Sequence, residues 1–114
     1  DFDEALRLAD RIAIMKDGAV EQCDTPDQIV LHPATEYVRK FTEDIDKARV
    51  VHAGVLAKPD QTGKGDPVDA GMTVHKLARI LVNDKRDFIP VSRDGVSIGA
   101  MSRADALDIL LGAE

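Results

Sequence analysis

The stretch FIPVSRDGVSIGAMSRAD, residues 88–105, decides the fold. Phe88-Ile89-Pro90-Val91 reads as a short apolar strand. Pro90 has no N–H to give a ladder, so the strand belongs at an edge or a bulge. Arg93-Asp94-Gly95 supplies a turn. Beyond it Val96, Ile98 and Ala100 alternate with Ser97, Gly99 and Met101, the period of a second strand. Ser102 then opens a helix carrying Ala106, Leu107, Leu110 and Leu111, and Gly112 is placed to stop it. The stretch is therefore a hairpin that runs into a capped helix.

Working upstream, Thr73 can cap a helix with Val74, Leu77, Ala78 and Leu81 on one face, ended by the polar run Asn83 to Asp87. Residues 57–71, AKPDQTGKGDPVDAG, hold two prolines and three glycines and read as a long loop. Before the loop, RVVHAGVL at residues 49–56 reads as a strand, weakened by Gly54. The second half is thus expected to be a β-α-β-β-α unit over residues 49–114, and the whole chain α+β.

Residues 1–48 carry their own signals. Phe2, Ala5, Leu6 and Ala9 form one apolar stripe of a helix. Arg11 to Lys16 reads as a buried strand, Asp17-Gly18 as a two-residue hairpin turn, and Ala19 to Cys23 as the return strand. Thr25-Pro26-Asp27-Gln28 then offers a cap, a proline at the first helical position and a glutamine three residues on. Pro33 interrupts that helix, and a second one follows through Tyr37, Val38 and Phe41. The acidic run Glu43-Asp44-Ile45-Asp46 reads as a solvated linker.

Composition excludes several classes. The net charge is −6, which argues against a nucleic-acid surface. No apolar run is long enough to span a bilayer. Cys23 is the single cysteine, so no disulfide framework is expected, and His32, His52 and His75 lack metal-ligand spacing. No Ser/His/Asp set reads as a nucleophile's setting. Gly63-Lys64-Gly65 lacks the preceding glycine, the following hydroxyl and the strand that a phosphate-cradling loop requires.

Two resemblances follow. The run DFDEALRLADRIAIMKDGAVEQCDTPDQIVLHPATEYVRKF, from residue 1, is similar to the end of an ABC-transporter ATPase domain, of the type that drives glycine betaine, proline or choline uptake. In that family a switch histidine immediately precedes the aspartate aligned with Asp1. The resemblance implies the C-terminal remnant of such a domain over residues 1–48. The phosphate loop, the Mg²⁺-binding aspartate, the signature motif and the switch histidine are all missing from the chain. It is therefore expected not to be an enzyme, although the parent would be an ATPase.

Residues 49–114 resemble a single CBS domain, carried by MTVHKLARILVNDKRDFIPVSRDGVSIGAMSRADALDIL. The family's hydrophobic-Pro-Val strand matches Ile89, Pro90 and Val91, its acidic-Gly turn matches Asp94 and Gly95, and its Gly-hydrophobic-x-Ser-x-x-Asp element matches Gly99 to Asp105. Such modules usually come as two repeats; one is read here, and the loop at 57–71 is longer than the family's usual connection.

The resemblance implies a regulatory module at the C-terminus of a compatible-solute importer's ATPase subunit. It would sense an adenine nucleotide, AMP or ATP, or ionic strength; no cofactor is obligatory. The implied nucleotide contacts are Ser102, Asp105, Gly99 and Arg103 around the last helix, Ile89 and Pro90 beside the base, and Val51, His52 and Thr73 near them. Ser102 and Asp105 are equally a plain helix-capping pair. The alternative is a structural module that dimerises and binds no ligand. Either way a homodimer is expected, with membrane-spanning subunits as the parent's other partners and a cytoplasmic place on the inner face of the membrane.

Overall fold

The computed structural model describes residues 2–112. Asp1, on which the ATPase resemblance begins, and the last two residues of the expected CBS domain lie outside that range. The chain forms two compact units, residues 1–51 and 52–114.

The first unit is a helix, a hairpin and two short helices. Helix α1 spans Phe2–Leu8 and buries Leu6. Strands β1, Ile12–Lys16, and β2, Ala19–Asp24, pair antiparallel with a bulge after Ile14. Asp17 and Gly18 take φ of 51° and 80°, the two positive values that a two-residue turn matched to strand twist requires. Helix α2, Pro26–Leu31, has the cap and the first-position proline its sequence suggests, the Thr25 hydroxyl accepting from the Gln28 amide, but the Thr25 amide donates to Asp24 Oδ1 where a capping box would use the Gln28 side chain. After Pro33, Thr35 caps α3, Glu36–Thr42, by accepting from the Val38 amide. Phe2 meets Phe41 edge to face at 4.4 Å, and the Lys16 ammonium lies 5.1 Å from the Tyr37 ring centre. Ile14, Ile29, Val30 and Val38 complete the aliphatic core.

The strand expected at residues 49–56 does not form. Asp46 caps a 3₁₀ turn at Lys47–Arg49 by accepting from the Ala48 amide, and helix α4 follows at Ala53–Leu56. Gly54 explains the preference. Its amide donates to Ala70 O at 3.0 Å, and a Cβ there would meet the Ala70 backbone at 3.2 Å and Arg93 Nη2 at 2.6 Å. A side chain there would turn the Arg93 guanidinium aside and push Ala70 back by a few tenths of an ångström.

The missing strand is supplied from inside the expected loop. Val68–Asp69 forms β3 and pairs parallel with β4, Val68 opposite Val91. Strands β4, Phe88–Arg93, and β5, Val96–Ser102, form the hairpin foreseen, so the sheet order is β3-β4-β5. Asp94 and Gly95 repeat the φ signature of the first hairpin, 53° and 80°. A register shift after Val91 leaves Ile98 as the extra residue on β5.

Two helices complete the unit. Helix α5 is regular only over Ala78–Asn83; its first part, from Thr73, is a series of turns in which the Thr73 hydroxyl accepts from the Lys76 amide. The stripe read from the sequence still faces inward, with Val74, Leu77 and Leu81 fully buried. Helix α6 covers Arg103–Leu110, and Gly112 follows with φ 73°. Ile89, Val91, Ala100, Met101 and Ala106 join that stripe in the core.

Candidate functional site

The junction of β5 and α6 is built from local chemistry. Ser102 holds extended dihedrals, and its hydroxyl accepts from the Asp105 amide at 3.1 Å. Asp105 is exposed in the first turn, where a carboxylate complements the positive end of the helix. Arg103 does something its motif position does not suggest. Its amide donates to Asp87 O at 2.9 Å, its Nε to Leu81 O at 2.8 Å and its Nη2 to Val82 O at 3.3 Å. Those last two carbonyls end α5, so Arg103 satisfies acceptors that a helix leaves unpaired. No spacing in the sequence signals this contact.

Gly99 has φ 122°, and a Cβ there would collide with the Lys58 carbonyl oxygen. The close backbone approach at Gly99 is made by the chain itself. Lys58 and Ala100 exchange backbone hydrogen bonds of 2.9 and 3.3 Å on the outer side of β5. From there the segment crosses the hairpin, because Gly63 packs against Pro90 and Phe88 O. A cavity of about 300 Å³ lies beneath this strap, with Pro59, Gln61, Thr62 and Gly63 above and Pro90, Ser97, Ile98 and Gly99 below.

The expected contacts are therefore spread out. Pro90 and Gly99 share that cavity, while Ser102, Arg103 and Asp105 share the start of α6. His52 and Thr73 form a β-bridge at the start of α4. Ile89 is fully buried in the core of the second unit, and Val51 is fully buried at the end of the first.

A second cleft, of about 320 Å³, is lined by Thr62, Gly63, Lys64, Arg86, Asp87 and Phe88. Arg86 organises its wall. Its Nη1 donates to Lys64 O and Asp66 O at 2.6 and 2.9 Å, while Nε and Nη2 clamp the Asp84 carboxylate at 2.9 and 2.6 Å. The guanidinium hydrogen bonds, then the Arg86 amide, hold Asp84 below its usual 3.8, at about 2; the same contact raises Arg86. Sequence reading missed this cleft, since its residues come from the loop and from the polar run after α5 and match no motif. No group of three or more His, Cys, Asp or Glu among the described residues could hold a metal ion.

No protein-family model matches the chain, and no solved structure matches it. Curated relatives do. These relatives are ATP-binding subunits of transport systems for trimethylamine N-oxide and glycine betaine, and the chain is similar to their C-terminal part. It is 74% identical over 113 residues to the trimethylamine N-oxide transport system ATP-binding protein TmoW of Ruegeria pomeroyi, covering 99% of this chain and 33% of that protein. It is 40% identical over 116 residues to TmoW of Pelagibacter ubique, covering 34% of it. Over 66 residues it is 48% identical to the glycine betaine transport ATP-binding protein OpuAA of Bacillus subtilis. The chain thus spans about a third of the length of the first two relatives.

Proposed function

We propose that this chain is the C-terminal part of the ATP-binding subunit of a compatible-solute importer, with trimethylamine N-oxide or glycine betaine as the solute. Its second unit is a CBS-type regulatory module on the cytoplasmic side of the membrane. ATP hydrolysis belongs to the portion of the subunit outside this chain, and membrane-spanning subunits are its partners. The module senses an adenine nucleotide or the ionic strength and biases the transporter between states, which requires the signal to favour one state over the other.

The observation that supports the nucleotide signal is the start of α6. Ser102 caps the helix and leaves Asp105 exposed in its first turn, where a carboxylate can accept from ribose hydroxyls. The test is solute uptake by the importer, reconstituted with the full-length subunit, at varied internal AMP and varied internal KCl. Wild type should respond to one of the two. If AMP is the signal, Asp105→Ala should abolish that response and leave basal uptake in place. Uptake indifferent to both signals would sink the regulatory reading.

A second reading, pairing of two copies, is favoured by exposed apolar side chains on and beside the helices. Ile80 is 43% exposed, Val82 61% and Leu111 77%. These are costly to leave in water and suit an isologous contact between helical layers.

A further inference from the structure

The cleft beside Arg86 has divided chemistry. Lys64 and Arg86 bring positive charge, Asp87 brings negative charge, and Phe88 brings a ring that is 38% exposed. Arg86 is already committed, to Asp84 on one side and to the carbonyls of Lys64 and Asp66 on the other. What remains is one ammonium, one carboxylate and one aromatic side chain, on a wall whose backbone Arg86 holds in place.

That pattern selects a ligand class. A simple anion is drawn to Lys64 and repelled by Asp87, and a simple cation meets the reverse. A small molecule carrying both charges satisfies both groups. A primary ammonium would spend its N–H groups on acceptors, of which the Asp87 carboxylate is the one charged example in the lining, and would make less use of the Phe88 ring. A quaternary ammonium has no N–H and is held by charge and by an aromatic face. The cleft is at the small end of ligand sites, the scale of a solute of under about ten heavy atoms.

We propose that this cleft binds a zwitterionic quaternary amine or amine oxide, anionic group toward Lys64 and methylated nitrogen toward Phe88 and Asp87. The transported solute would then report its own accumulation to the subunit that drives its uptake. The identity of that solute rests on the proposed function above; the charge pattern stands without it.

Equilibrium dialysis of the full-length subunit tests the site, with radiolabelled glycine betaine, trimethylamine N-oxide and, as a cation lacking the anionic group, choline. Wild type should bind the two zwitterions saturably. Lys64→Gln, in the exposed strap, should weaken glycine betaine about two- to fivefold and, by removing a like charge, strengthen choline. Phe88→Leu should weaken both by about the same factor. Absence of saturable zwitterion binding by wild type overturns the proposal, as does a Lys64→Gln effect equal on choline and betaine. Uptake by the reconstituted importer is read separately: transport without binding overturns the site alone, and binding without transport overturns the transport assignment while the site stands.

Discussion

A methyl group at residue 99 has no room. The backbone there holds φ 122°, and the side-chain position points at the Lys58 carbonyl, with Lys58 C at 2.6 Å. Gly99→Ala should cost roughly 2–4 kcal/mol, from backbone strain together with overpacking against a main chain that has nowhere to move. Urea denaturation of the full-length subunit checks this. Gly95 is the control: its φ is 80°, but nothing lies within 4 Å of its missing Cβ. Gly95→Asn should therefore cost less than about 1 kcal/mol, since asparagine tolerates this region. Ser102→Ala should cost about 1 kcal/mol through loss of the α6 cap. Caps of this kind were legible in the sequence, because Thr25 and Ser102 act on amides three residues away. The contact of Arg103 was not, because it reaches back 21 and 22 residues to the end of another helix.

The strap over residues 57–66 behaves as an element although it has no regular structure. Its first anchor is the Lys58–Ala100 bridge, and its second is Arg86 on the carbonyls of Lys64 and Asp66. Asp84 keeps Arg86 aimed, with side chains 11% and 27% exposed respectively. Asp84→Asn should free Arg86 and destabilise the unit by roughly 1–2 kcal/mol, after allowance for partial solvent screening. Proteolysis should then cut first near Lys64. The sign with pH follows from a depressed carboxyl. Its stabilising contribution is complete above the ordinary 3.8 and is lost as pH falls from there toward about 2. Stability measured between pH 6 and pH 4.5 should therefore show no step from this pair, whereas the difference between wild type and Asp84→Asn should shrink below pH 4. The elements misread in the sequence fail for related reasons. Val50 and Val51 suggested a strand, but Asp46 captures the preceding turn and Gly54 lets a helix dock on Ala70. Strand β3 is two residues long, too short to show alternation, and tertiary pairing with β4 creates it.

For the molecule as a whole, the exposed Ile80, Val82 and Leu111 bear on the proposed pairing of two copies. If the second unit pairs through its helices, Ile80→Glu should shift the full-length subunit toward monomer in sedimentation velocity. Val96→Glu, at the far end of the β4–β5 hairpin and 67% exposed, should not. A subunit that stays monomeric at tens of micromolar without substitution would remove pairing as a role of the chain.

The borders of the second unit's sheet set a limit on such encounters. On one flank β5 meets a single residue, Lys58, and Pro59 comes next; on the other, β3 follows directly on Pro67 and stops at Asp69. Proline donates nothing to a ladder and β3 is two residues long, so that flank is a poor template for a foreign strand, while the Lys58 bridge interrupts the β5 edge at Ala100. In a crowded cell, both features work against edge-to-edge polymerisation of the unit.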